Sequence, residues 1–412
     1  MSSKRIVILG AFVAAAAVGL VAAAAYGRHT AAPTIAVSDS ACAPGWSAAS
    51  GRTIFTVQNT APHDFFTVEV VSGANPLLAA NPVSAEYAAA AANAPVYGQI
   101  NMVAPETSVP LDVVLPPGRY FIHCLDSNGN TLNSPIVSVT GPPASGAHPY
   151  SPVTPNQLAY AMQAYRGEIG PVMKRLALDT DRLAQAVRAG RLALARTLWL
   201  PAHLDYARLG VAYGTFGALN DEIDGRPLGL AGGVHSPDFQ GFLRLEYGLW
   251  HGQPSSQLRP VAAALARSVR DLVKKAGSPA GMIWVNTDLP LRAHEILENT
   301  LQFELTGETN EGSNTNLATA WANTQGETFA LDALKPLLRT RDAALLATAT
   351  AGTTRLTAAF AAYKKPNGRW TGLGSLTTAQ REQLDSATSN LLEELEQIPD
   401  ELRLALLAPA ND

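Results

Sequence analysis

Gly241-Phe242-Leu243-Arg244-Leu245-Glu246-Tyr247-Gly248-Leu249-Trp250 carries a single carboxylate in a mostly apolar, helix-forming run. Residues three apart on a helix share a face, so Leu243 and Glu246 present their side chains to the same surroundings. A carboxylate beside a buried leucine is disfavoured in its charged form unless something compensates it. The compensation open to Glu246 is a metal ion or an arginine on a neighbouring helix.

Outward from this stretch the pattern stays helical. Helices are expected over 154–189, 191–218, 238–252, 256–276, 290–306, 316–338, 341–363 and 377–407, the first broken near Gly167–Pro171. Thr154-Pro155 reads as an N-cap followed by a proline of the first turn. Residues 152–412 therefore form an all-α domain, preceded by a proline- and glycine-rich linker at 142–151.

Residues 33–141 read differently. Runs such as Thr53-Ile54-Phe55-Thr56-Val57, Phe66–Val71, Leu111–Leu115, Tyr120–His123 and Ile136–Val139 are rich in β-branched and aromatic residues. Turn signals at Pro116-Pro117-Gly118 and Ser127-Asn128-Gly129-Asn130 separate them, which argues for a β-sandwich. Ser84–Ala94 is an alanine-rich insert that reads as a short helix. The chain has two cysteines, and Cys42 and Cys124 have only each other as partners, so a disulfide is expected; a copper thiolate at Cys124 is the rival. A blue-copper centre needs two histidines and a cysteine with a weak axial ligand. Leu125, Asp126, Ser127 and Asn128 follow Cys124, and His123 points to the opposite face of its strand, so no blue copper is expected. Glu69 and Glu106 read as solvated carboxylates.

The chain opens with Met1-Ser2-Ser3-Lys4-Arg5 and an apolar run from Ile6 to about Tyr26. A short basic region before an apolar core directs export. The run is about 21 residues, roughly 32 Å as a helix, enough to span a bilayer. Residues 1–32 are thus a signal peptide or a membrane anchor, and the rest is extracytoplasmic, periplasmic or in the cell envelope. Charged residues make up 16% of the chain and the net charge is −4, which leaves no basic face for nucleic acid and no polybasic membrane surface. There is no P-loop, dinucleotide fingerprint or Gly-x-Ser-x-Gly elbow.

The Gly241–Trp250 stretch resembles the Gly-x-His-x-x-Glu motif of the imelysin-like family, which includes EfeO-type proteins of bacterial iron uptake. Glu246 matches the glutamate, whereas Leu243 stands where the histidine is expected. The resemblance runs from about Pro152 to the C-terminus through Tyr206, the Phe216–Pro227 region, Pro237-Asp238-Phe239 and the His294–Gly307 helix. It implies two packed helical bundles, and a cupredoxin-like β-sandwich in front of the imelysin-like helical-bundle domain. It also implies that helix-borne acidic residues complete the metal site, which by local context places Glu168 and Asp224 beside Glu246. Three carboxylates suit iron or another hard metal cation.

The family further implies a non-catalytic accessory protein whose partners are an iron permease and a dye-decolourising haem peroxidase. A cell-surface interaction protein with a degenerate metal site is the alternative, and a metallopeptidase a third. His294-Glu295-Ile296-Leu297-Glu298 begins like a zincin His-Glu-x-x-His but ends in glutamate, and reads as a helix-surface ion pair. His203, beside Asp205 and Tyr206, reads as packing and surface. Thr306–Glu311 reads as a solvated acidic loop.

Overall fold

The computed structural model describes residues 32–75, 77–78, 94–278, 281–282 and 284–404. Residues 1–31 of the expected export segment and the expected alanine-rich insert at 84–93 lie outside these. The described chain separates into two compact units, one built from residues up to Leu78 with Tyr97–His148, the other from 94–96 with Pro149 onward.

The first unit is a two-sheet sandwich. One sheet has the order β2 (Ala41–Cys42), β1 (Thr34–Ser38), β3 (Gly51–Asn59), β6 (Ser108–Leu115). The other runs β5 (Val96–Val103), β4 (Phe65–Ser72), β7 (Gly118–Asp126), β8 (Thr131–Asn133), with β9 (Val137–Val139) also paired to β7. β1 runs parallel to β3, while β3–β6 and β4–β7 are antiparallel. Alternation sets what is buried: Phe55 and Val57 from β3, and Leu111, Val113 and Leu115 from β6, meet Val68, Val70 and Ile122 in one apolar core. Asn59 is buried there at no cost in lost hydrogen bonds. Its Nδ2 donates to the carbonyls of His63, Val103 and Ala104, and its Oδ1 accepts from the Ala61 N–H.

Cys42 and Cys124 are joined across the sandwich, with Cα atoms 5.9 Å apart. His123 lies on the opposite face of β7, where its Nδ1 meets Asn133 Oδ1 at 2.6 Å. Glu69 is buried on β4 opposite His123, so it is not the solvated carboxylate its sequence context suggests. Strand β4 is covered on both faces, which a run without clean alternation permits.

The second unit is helical: α1 (Pro155–Arg188), α2 (Leu192–Ala207), α3 (Ala218–Asp224), α4 (Gly241–Trp250), α5 (Ser255–Ala276), α6 (Asp288–Asn299), α7 (Asn316–Arg341), α8 (Ala343–Ala361) and α9 (Thr378–Leu395). Thr154 caps α1 as its sequence predicts: its Oγ1 accepts from the Gln157 N–H, and Gln157 Oε1 accepts from the Thr154 N–H. The expected break near Gly167–Pro171 is absent, and α1 is continuous. Pro171 and Gly167 are exposed, so the carbonyl that loses its proline-blocked partner faces water.

Helices α1, α2, α4 and α5 pack together, as do α6, α7, α8 and α9; α7 also packs on α1 and α2. The expected helix over 191–218 is interrupted after Ala207 and again at Gly217, whose φ is +57°. α3 therefore starts afresh and ends at Asp224. Among the described residues, no helix is long and apolar enough to cross a membrane.

Candidate functional site

Four titratable side chains act on one another electrostatically where the two helical groups join, and of these His203 and Asp224 are in direct contact. His203 comes from α2, Asp224 from the last residue of α3, and Glu246 from α4. Glu304 closes a π-helical turn, Thr300–Glu304, that continues α6. Such turns insert one residue into the helical ladder and re-aim side chains. The first residue of α4 explains how Asp224 and α4 come so close. Gly241 has φ +84°, and a Cβ there would lie 2.3 Å from the Ile223 carbonyl oxygen and 2.9 Å from the Asp224 nitrogen. Only glycine admits both that conformation and that approach.

His203 Nε2 lies 3.1 Å from Asp224 Oδ1. The ring is buried against Trp199, with centroids 4.7 Å apart, and against Phe242. Trp199 is itself fixed by donating its indole N–H to the Phe242 carbonyl at 2.9 Å. Burial pulls the imidazole's pKa down, but Asp224, with Glu304 and Glu246 behind it, outweighs burial and holds it above the ordinary value. The other ring nitrogen, Nδ1, is buried without a hydrogen-bond partner.

Glu246 is fully buried. Its Oε1 accepts from the Ser313 N–H at 2.7 Å, while Oε2 has no partner. Burial pushes its pKa up to about 7, against the pull of Ser313 and His203. Glu304 is likewise pushed up to about 7 by burial, although Thr309 and Asn316 hydrogen-bond it; Asn316 Nδ2 donates to Oε2 at 3.2 Å. Asp224 and Glu304 border a cavity of about 200 Å³, together with Tyr213, Asn220, Arg226 and Asn323. Arg226 stacks over Phe303 at 3.6 Å and lies 3.6 Å from Glu308.

The structure brings two of the three expected residues, Asp224 and Glu246, to this group. Glu168 stands apart. It is exposed on α1 and is not among the charges acting on His203, Glu246 or Glu304. Leu243 is buried on the same helix as Glu246 but lies outside the continuous apolar cluster that takes in Phe242 and Leu245. Sequence reasoning missed His203 and Glu304. His203 reads as packing and surface, and its partner Asp224 is 21 residues away across two interruptions of the helix. Glu304 was hidden in a stretch whose π turn has no sequence signature. The loop after Glu304 is packed rather than solvated, since Ser313 reaches Glu246 and Glu308 reaches Arg226.

Among the described residues, no three His, Cys, Asp or Glu side chains are grouped closely enough to hold a metal ion as they stand. The donors nevertheless suit one. A buried carboxylate oxygen and a buried imidazole nitrogen without partners are costly in a finished core, and both are metal-ligand atoms. His294 and Glu298 form the expected helical pair at 4.0 Å.

The family model described as Imelysin, Peptidase_M75, matches residues 163–398, more than half of the chain. The iron uptake system component EfeO of Yersinia pestis is 27% identical over 298 residues, covering 72% of this chain and 76% of that protein. The same component of Escherichia coli (strain K12) is 26% identical over the same length and coverage. Among solved structures, dithionite-reduced auracyanin from Roseiflexus castenholzii matches 27% of this chain and 99% of its own, at 18% identity and a TM-score of 0.18.

Proposed function

The chain belongs to the imelysin family, and on that premise we propose that it is an extracytoplasmic accessory protein of iron uptake. It binds a metal ion in its helical domain and catalyses no turnover. The observation that carries this is Glu246 Oε2, a fully buried carboxylate oxygen without a partner, beside the His203–Asp224 pair. The relatives named as iron uptake components support the same role.

A cavity of about 200 Å³ is smaller than the 300–1,000 Å³ typical of organic-ligand pockets. This reading assigns a bare or partly aquated cation to the neighbourhood of that cavity, which Asp224 and Glu304 line and His203 and Glu246 do not. Carboxylates dominate the group, which favours iron or another hard cation. The reading takes residues 1–32 as the export signal or anchor and puts the domain outside the cytoplasm. An iron permease and a dye-decolourising haem peroxidase are the partners this reading assigns.

Against a peptidase stand the absence of a second histidine in His294–Glu298 and the leucine at 243. The rival reading, a cell-surface interaction protein with a lapsed site, draws on Leu243 and on the lack of a preformed three-residue ligand group. Elemental analysis after loading with iron and manganese and removal of free ion separates the two. About one ion per chain supports uptake; none supports the lapsed site. Hydrolysis of an unfolded protein substrate by the metal-loaded chain would overturn the non-catalytic reading.

A further inference from the structure

We infer that His203, from α2, supplies the imidazole that Leu243 removes from α4, and that its Nδ1 and Glu246 Oε2 are the nitrogen and oxygen donors to one metal ion. This rests on the metal-binding reading above and adds to it a ligand outside the family's motif.

Two side chains here are buried and incompletely satisfied. Glu246 is fully buried and has one oxygen unpartnered; His203 is 3% exposed and has one ring nitrogen unpartnered. A neutral imidazole has one donor and one acceptor nitrogen. Asp224 Oδ1, 3.1 Å from Nε2, accepts a hydrogen bond from a protonated Nε2, which leaves the lone pair on Nδ1. A carboxylate that holds one nitrogen of a histidine while the other faces a metal is a recurring arrangement, and it fixes both tautomer and ring orientation. Trp199 and Phe242 restrain the ring on its faces. The His203 ring lies against Phe242, with centroids 5.3 Å apart, and Glu246 follows Phe242 by about one turn of α4, so imidazole and carboxylate sit on the same face of that helix.

The two helices also explain why the exchange is tolerated. α2 packs on α4, so an imidazole from α2 reaches the surroundings of Glu246 without any change in α4 itself. Leu243, buried beside Glu246 on α4 yet outside the main apolar cluster, then acts as an apolar wall rather than as a ligand. Asp224 is a positioning residue here: it fixes the His203 ring through Nε2 and also lines the neighbouring cavity.

The test uses the full chain and Zn(II) as probe, because zinc takes imidazole and carboxylate together. Titration calorimetry compares the wild type with His203→Gln, Leu243→His and the double variant. His203→Gln is expected to weaken zinc binding by a factor of ten to a hundred or more, the range that losses around a metal-bound histidine produce. Leu243→His in the His203→Gln background is expected to recover much of it, since it returns the imidazole to the face of Glu246. X-ray absorption at the zinc edge of the wild type is expected to show imidazole scattering, which does not depend on any variant folding. Wild-type binding without imidazole scattering, or equal binding by His203→Gln, overturns the inference and leaves the carboxylate site standing. A wild type that takes up neither zinc, iron nor manganese overturns the inference and the metal-binding reading together.

Discussion

Gly241 and Ile223 touch through their backbones so closely that a Cβ on residue 241 would lie 2.3 Å from the Ile223 carbonyl oxygen. That contact seats the start of α4 against the end of α3 and so sets Glu246 and Asp224 near one ring. Gly241→Ala must both leave a φ of +84° and open this contact. A loss on the order of 2 kcal/mol or more in chemical denaturation is expected for the helical unit. Metal affinity should fall as well, because Asp224 and α4 separate. Unchanged denaturation would show that α4 docks by other means.

Glu246, Glu304 and Glu327 give the metal-free protein a pH dependence of definite sign. Burial holds Glu246 and Glu304 near 7 and raises Glu327, whose two oxygens lack partners, well above its usual value. Between about pH 4.5 and 7 the folded chain keeps protons that the unfolded chain has lost, so stability falls as pH rises through that window. His203, also raised, adds to the fall as pH passes through its folded value. Each of the two glutamates near 7 contributes on the order of 3 kcal/mol if it titrates alone. The melting temperature of the apoprotein is expected to be higher at pH 5 than at pH 8, and Glu246→Gln to flatten the difference. An apoprotein more stable at pH 8 would contradict the burial of these carboxyls in neutral form.

The Cys42–Cys124 bond closes a loop with a sequence separation of 82, worth roughly 3–5 kcal/mol in the chain-entropy account. Reduction should lower the melting of the β-sandwich and leave that of the helical unit nearly unchanged. The same bond removes the Cys124 thiolate, so adding Cu(II) should produce no intense visible absorption. A strong thiolate-to-copper band would show the cysteines to be free.

Much of the architecture was legible in the sequence. The change from β-branched runs to helical spacing near residue 150 separates the two units, and Thr154 with Gln157 marks the first helix. Pro171 misled because a proline on an exposed face of a long, well-packed helix costs less than one inside. The site was half legible. Glu246 and Asp224 follow from the resemblance, since they sit in local motifs. Glu168 rests on the same resemblance, matched by local context on the first helix, and such a match without the packing partners does not tell which face is buried. His203 and Glu304 depend on the break at Gly217 and on a π turn, which are settled by tertiary packing.

The placement of Glu168 carries its own prediction. An exposed carboxylate away from the group should be dispensable, so Glu168→Gln should match the wild type in metal affinity within about twofold, a difference of roughly 0.4 kcal/mol. A loss of tenfold or more would mean that α1 moves toward the site when the ion binds.

Metal content per chain tests the central claim most directly. Wild type and Glu246→Gln are each loaded with iron, freed of excess ion and analysed for bound metal by mass spectrometry. About one ion on the wild type and none on Glu246→Gln is the result expected of a protein that carries its cargo on the buried carboxylate of α4. Equal iron on both proteins, or none on either, would contradict it.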